Sequence, residues 1–226
     1  MLTVRNLAKS YGRVKVLSDV SFHLNKGEFI AIFGSSGVGK TTLLNIVAMY
    51  DRPDEGEVVF DGINIVNASE DILERIRVAK VGFAHQSTYM IELLTLSENV
   101  ALPLFLAGFS KGEREKRVTQ LLEEVGLEDK AKNKPSQLSL GQRKRACIAR
   151  ALVADPRCIL IDEPTANLDA ANKQRILALL TRKQAEGAGI IVATHDPMVT
   201  KHAKVLELTD GRLAPLETTG GTRRPR

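Results

Sequence analysis

Cysteine is scarce in this chain of 226 residues: Cys147 and Cys158 are the only two, and neither falls in a Cys-x-x-Cys or Cys/His pattern. That excludes a disulfide framework and a thiolate metal site, and leaves two buried small hydrophobes in a reducing compartment as the expectation. Long apolar runs are also missing. The longest, "VALPLFLAGF", falls short of the roughly 18 uncharged residues that a spanning helix needs. The opening "MLTVRNLAKSYG" has no apolar h-region, so no secretory leader is expected. There is no internal repeat and no dense basic stripe. A net charge of +5 suits nucleic acid or an anionic membrane surface. Part of that excess sits in the terminal "TRRPR", however, and a solvated surface with a basic tail accounts for it without a nucleic-acid partner.

What is present forms a core. The 43% hydrophobic content suits one large domain or two lobes, and 26% charged residues argue against disorder. Apolar runs bounded by turn residues predict strands over "MLTVRNLAKSYG" and "VLSDVSFHLNKGEFIAIFG", the second ending in a glycine loop. "KTTLLNIVAMY" reads as a helix stopped near "DRPDEG" by Pro53 and Gly56. "GEVVFDGINIV" reads as a hairpin turning at Asp61-Gly62, "DILERIRVAK" as a helix and "VGFAHQ" as a short strand. From Ser87 to about Ala154 the texture is helical, with "KGEREKRVTQLLEEVGL" and then "LGQRKRACIARALVAD", a helix opened by Gly141. "CILIDEP" and "AGIIVATHD" lack alternation, as central parallel strands do, and a helix over "AANKQRILALLTRKQAEG" separates them. "AKVLELTDGRLAPLE" closes as a hairpin around Asp210-Gly211, and "TTGGTRRPR" reads as disordered. The pattern predicts an α/β fold with a parallel sheet, an antiparallel β lobe at the front and an inserted helical lobe. That gives one domain over residues 1–216, a helical subdomain of about 87–154, and a basic tail over 217–226.

Gly34-Ser35-Ser36-Gly37-Val38-Gly39-Lys40-Thr41 matches G-x-x-x-x-G-K-[ST] at every position, with a strand before it and a helix after. The glycines let the backbone curl into a nest of inward N–H groups, and the helix start adds the positive end of its dipole. Lys40 supplies a point charge for the β- and γ-phosphates, and the Thr41 hydroxyl, with Thr42 beside it, supplies an oxygen for Mg²⁺. A plain glycine turn with a surface lysine is the competing reading, and the strand–loop–helix context argues against it. The chain is expected to bind a nucleoside triphosphate. In "CILIDEPTANLD", Asp162 and Glu163 emerge where a buried strand ends, the position at which open α/β sheets bind ligands. Asp162 would hold the metal through water, and Glu163 would act as general base or orient the attacking water. Taken alone, these could be two ordinary carboxylates.

Further pieces follow in order. They are Tyr11 in "KSYG", Gln86 after "VGFAH", "LSLGQRKR", Asn167-Leu168-Asp169, and His195 in "ATHD". Around a full glycine loop, they make the chain resemble the ATP-binding subunits of ABC transporters over nearly its whole length. The resemblance implies a P-loop NTPase core of RecA-like form, and an ATP hydrolase using ATP and Mg²⁺. It implies that Tyr11 stacks on adenine and that Gln86 senses the metal and the attacking water. It implies that His195 bonds the γ-phosphate and that Asn167, Leu168 and Asp169 form the D-loop. Ser139, Gly141 and Gln142 are similar to the family's signature. That likeness implies that they cap the ATP of a second copy, so that two chains close head-to-tail around two ATP molecules. Hydrolysis then removes the bridging γ-phosphate and lets the dimer relax.

The family signature has Gly where this chain has Leu140; the Ser and the second Gly are kept. "LTLSENVALPLFLAGFSKGEREKR" and "PTANLD" resemble the lipoprotein-releasing, macrolide-exporting and cell-division class. "VAMYDRPDEGEV" is less similar to that class. The likeness implies integral membrane permease partners, and a location at the cytoplasmic face of the inner membrane through them. "VALPLFLAGF" would line the docking groove or pack in the core, and both readings stand at this point. The alternative function is a soluble ABC ATPase of an assembly system such as iron–sulfur cluster biogenesis. No coiled-coil insert or second cassette points to the repair or translation relatives.

Overall fold

The computed structural model describes residues 1–216; the "TTGGTRRPR" tail, expected to be disordered, lies outside them. Strands that alternate apolar and polar residues have one face to bury, and the first strands do so. β1 (Leu2–Tyr11) pairs antiparallel with β2 (Val14–Leu24). The chain then turns over residues 25–28, where the Gly27 N–H donates to the Gly187 carbonyl, and enters β3 (Phe29–Phe33) in a different sheet. The sequence reading ran β2 and β3 into one strand. They separate because β2 alternates in burial, whereas "FIAIF" is buried on both faces and belongs to a central sheet.

α1 (Lys40–Val47) ends well before Pro53, which was expected to stop it. Its C-terminus is closed by bonds from Met49 N to Ile46 O and from Tyr50 N to Asn45 O, with Met49 at φ 65°. This is a Schellman ending built on a residue other than glycine. β4 (Glu55–Phe60) pairs with β1 and turns at Asp61-Gly62 into β5 (Ile63–Asn64). Both turn residues have positive φ, 47° and 84°, as a tight primed hairpin requires. α2 (Glu70–Lys80) leads into β6 (Val81–Ala84).

Three helices follow, each opened by a reciprocal capping box: α3 (Leu96–Leu106) by Thr95 and Glu98, α4 (Lys111–Glu124) by Ser110 and Glu113, and α5 (Leu140–Leu152) by Ser139 and Gln142. α5 was expected to be opened by Gly141. Ser139 opens it instead, because its hydroxyl satisfies the Gln142 N–H, which glycine cannot do. α3 runs through Pro103 and is held by the buried Asn99, whose amide donates to Ile91 O, Leu94 O and Thr95 O. Val100 and Leu104 of this helix enter the core, while Phe105 and Leu106 are exposed. The core-packing reading of the apolar run therefore holds for one face of the helix, and the other face is open.

β7 (Cys158–Asp162), α6 (Ala170–Ala185), β8 (Gly189–Thr194), the short α7 (Pro197–Thr200), and the hairpin of β9 (Lys204–Thr209) and β10 (Arg212–Pro215) follow among the described residues. The main sheet runs β10-β9-β3-β8-β7-β6, parallel apart from the β10 edge; the second runs β2-β1-β4-β5 and is antiparallel. Neighbouring residues of β7 go to opposite cores. Cys158 and Leu160 join the cluster with Leu44 and the antiparallel sheet, and Ile159 and Ile161 join the cluster under the helices. Each large side chain fully buried in this way contributes about 1.5–3 kcal/mol.

Gly82 of β6 lies so close to α5 that a Cβ there would meet the Ala151 carbonyl at 2.0 Å. Gly82→Ala is expected to destabilise the protein by about 1–3 kcal/mol through overpacking, read as a lower urea midpoint at unchanged slope. An unchanged midpoint would show that the helix can give way there.

Candidate active site

The ends of parallel strands leave room for a ligand, and the expected residues collect there. The glycine loop follows β3, Gln86 follows β6, Asp162 ends β7 with Glu163 next, and His195 follows β8. Tyr11, Ser36, Gly37, Gly39, Lys40, Thr41, Thr42, Gln86, Asp162, Glu163 and His195 line one cleft of about 340 Å³ with Val16 and Ala166. Gly34, Ser35 and Val38 form the back of the loop. The carbonyls of Gly34 and Ser35 each accept from Lys40 Nζ at 2.8 Å, and Val38 packs against the core. Gly39, the residue before α1, has φ 111°, a conformation that strains any residue with a Cβ.

Thr41 Oγ1 donates to Asp162 Oδ2 at 2.6 Å. Glu163 has φ 52°, its N–H donates to Ala193 O at 2.8 Å, and its Oε1 lies 2.8 Å from His195 Nδ1. Thr194 Oγ1 approaches the other Glu163 oxygen at 3.4 Å. The Tyr11 hydroxyl donates to Asp51 at 2.5 Å; partial burial and this bond push its phenol up. Asp196, beside His195, accepts from both Thr165 and Lys173 at 2.8 Å. Burial opposes its ionisation, but these bonds, with that from the Met198 N–H, hold its carboxyl below the usual range.

Ser139, Gly141, Gln142, Asn167, Leu168 and Asp169 do not line the cleft. Ser139 and Gln142 bond each other across the first turn of α5, and Asp169 caps α6 by accepting from Asn172 N at 2.8 Å. The two segments touch: a side chain at Gly141 would meet the Asn167 carbonyl. Leu140, in the first helical position, is 54% exposed.

Sequence reasoning missed Lys144, which is buried and donates to Asp162 O at 2.7 Å. Burial pulls its ammonium below the ordinary lysine range, opposed chiefly by the charge of Asp162. In "GQRKRA" it reads as one more surface charge, yet Ile148 and Ala151 at +4 and +7 are buried, and that spacing marks an inward face.

For a metal, the donor set is oxygen. Among the described residues no group of three or more His, Cys, Asp or Glu side chains could hold an ion. The Thr41–Asp162 pair instead suits a hard cation that takes its other ligands from phosphate and water, as Mg²⁺ does.

A glycine cradle closed by a buried lysine, with paired acids at the end of β7, one strand removed from β3 in the parallel sheet, defines a P-loop nucleoside triphosphatase. The model of the family described as ABC transporter matches residues 17–166, and the chain belongs to that family. It is 40% identical over 214 residues to the macrolide export ATP-binding/permease protein MacB of Campylobacter jejuni, covering 94% of this chain and 33% of that protein. It is 37% identical over 204 residues to the lipoprotein-releasing system ATP-binding protein LolD of Hyphomonas neptunium, covering 89% of this chain and 90% of that one. Among solved structures, the dimeric bacterial ABC transporter cassette MJ0796 superposes with a TM-score of 0.90 at 39% identity, covering 94% of this chain and 96% of that chain. The same cassette has also been solved as a dimer in a post-hydrolysis state bound to ADP and Pi. The chain is thus an ATP-binding, ATP-hydrolysing ABC cassette, similar to those of macrolide export and lipoprotein release. None of these relatives supports the soluble assembly ATPase.

Proposed function

We propose that this chain is the motor subunit of a membrane transporter, and that two copies close around two ATP molecules. One observation carries the reading: the cleft holds the loop, both acids, Gln86 and His195, yet Ser139, Gly141 and Gln142 stand outside it. With the Gln142 N–H held by Ser139, the N–H groups of Leu140 and Gly141 remain at the start of α5, where the helix dipole favours an anion. Head-to-tail pairing of two chains brings this end of one to the cleft of the other, with Asn167, Leu168 and Asp169 beside it. Leu140 leaves the Ser139 hydroxyl and the Gly141 N–H in place, so closure survives the departure from the family signature.

Within each cleft, Lys40 leaves its loop carbonyls for the β- and γ-phosphates, and the N–H groups of residues 34–41 surround them. Tyr11 stacks on the adenine, with Asp51 fixing its hydroxyl. Thr41 and Asp162 would hold Mg²⁺, with Gln86 facing the same cleft; the bound ion supplies positive charge for the phosphate oxygens. Glu163 accepts the proton of the attacking water. His195, in contact with Glu163, bonds the γ-phosphate. Loss of that phosphate removes what both chains grip, and the pair opens. Residues 1–216 act as one ATPase domain, in which the helical subdomain of about 87–154 carries the signature.

The permease docks in a groove of about 410 Å³ between β6 and the helical segment, lined by Tyr50, Phe83, Leu102, Pro103, Leu106 and Arg150 among others. Its apolar side chains include the exposed Tyr50 and Leu106. MacB carries ATP-binding and permease functions in one name, and this chain spans only 33% of it, so a separate permease segment is the fitting occupant. Among the described residues no helix is long and apolar enough to cross a membrane. Attachment at the cytoplasmic face runs through such a partner. Affinity purification from detergent-solubilised membranes tests this reading. Recovery of a multi-span permease, reduced at least tenfold by Leu106→Glu, is the expected outcome. Recovery of soluble scaffold proteins alone would overturn it.

A further inference from the structure

Lys144 has no part in the mechanism above, and its position is unusual for a cation. It lies on α5 five residues after Ser139 and is 2% exposed. Its ammonium meets backbone: Nζ donates to the carbonyl of Asp162 at 2.7 Å and, at longer range, to that of His85 at 3.4 Å. Burying an ammonium is costly, and carbonyl dipoles offset that cost less well than a carboxylate would.

Both acceptors are telling. The Asp162 carbonyl belongs to the peptide that leads into Glu163. The N–H of that same peptide donates to Ala193 O at 2.8 Å, so the unit is held at both poles. Glu163 sits at φ 52°, in the left-handed region that a residue with a Cβ adopts only when its surroundings impose it. Where its carboxylate points follows from the plane of that peptide. The His85 carbonyl, in turn, belongs to the peptide that leads into Gln86. One ammonium therefore touches the two backbone units from which the proposed base and the proposed metal-sensing glutamine hang. α5 is continuous from Leu140 to Leu152, so a displacement of its first turn reaches Lys144 without a hinge between them.

We infer that Lys144 is a positioning residue: it orients Glu163 and Gln86 and couples them to the helix that meets the partner's nucleotide. The coupling rests on the two-copy reading above; the positioning of Glu163 does not. When α5 settles on the second copy's phosphates, the same helix sets the general base of its own chain.

The test is steady-state ATP hydrolysis by full-length variants, counted per folded chain. Lys144→Met keeps the apolar stem and removes the donor; Lys144→Gln keeps an N–H donor without the charge. The methionine variant is expected to lose at least tenfold in kcat with KM for ATP within threefold. In a Glu163→Gln background it should still form the ATP-trapped dimer, and Lys144→Gln should recover most of the lost kcat. Lys144→Leu serves in the same way if the methionine variant does not fold. A kcat within twofold of wild type, with only the melting temperature lowered, overturns the inference, as does a glutamine variant no better than methionine. So does joint loss of kcat and of the trapped dimer, which would give Lys144 a role in closure or folding. Failure of the two-copy reading shows separately, because Glu163→Gln alone would then trap no dimer.

Discussion

Glu163→Gln is expected to lower ATP turnover by about 10²–10⁴-fold, the contribution of a general base, while ATP binding persists. The amide cannot take the proton of the attacking water, but it preserves the shape of the side chain and can still bond His195, now 2.8 Å from the carboxylate. The γ-phosphate then stays between the two chains, and a nucleotide-bound dimer accumulates that size-exclusion chromatography resolves from monomer. A fully active variant would remove Glu163 from its proposed role, whereas an inactive one that stays monomeric with ATP bound would contradict closure of two copies around ATP.

Lys40→Ala is expected to act earlier. Lys40 is buried and bonded to the Gly34 and Ser35 carbonyls, and in the proposed mechanism phosphate oxygens take their place. Losing this preorganised charge is expected to lower turnover by about 10²–10³-fold or more. The phosphates also lose their cationic partner in the bound state, so ATP binding itself is expected to weaken. The double variant Lys40→Ala/Glu163→Gln should therefore trap no dimer, which separates the two residues. Normal turnover in Lys40→Ala, measured by phosphate release, would sink that assignment.

The parts legible in the sequence are those in which cause and residue are adjacent. "CILID" and "GIIVAT" announce central strands because they are apolar on both faces. The hairpins at Asp61-Gly62 and Asp210-Gly211 follow from a demand for positive φ at both turn positions. The glycine loop is contiguous and needs no tertiary information. α3 was not legible as a helix because "VALPLFL" is apolar all round, gives no period, and contains Pro103. The end of α1 depends on Met49 in a conformation that its type does not advertise. In the site, Glu163 and His195 are 32 residues apart, and only parallel pairing of β7 with β8 brings them together. Lys144 was hidden by its charged neighbours, although the spacing of the apolar residues after it pointed inward.

The composite pocket is tested most directly by mixing two chains, each defective in a different half. Lys40→Ala spoils the loop and keeps the first turn of α5; Ser139→Arg spoils that turn and keeps the loop. Each homodimer then lacks a complete site, while a heterodimer has one. The account predicts that equimolar mixing restores about a quarter of wild-type specific activity, because random assortment makes half the dimers mixed and completes one site of two in each. Activity that stays at the sum of the two separate variants would contradict it.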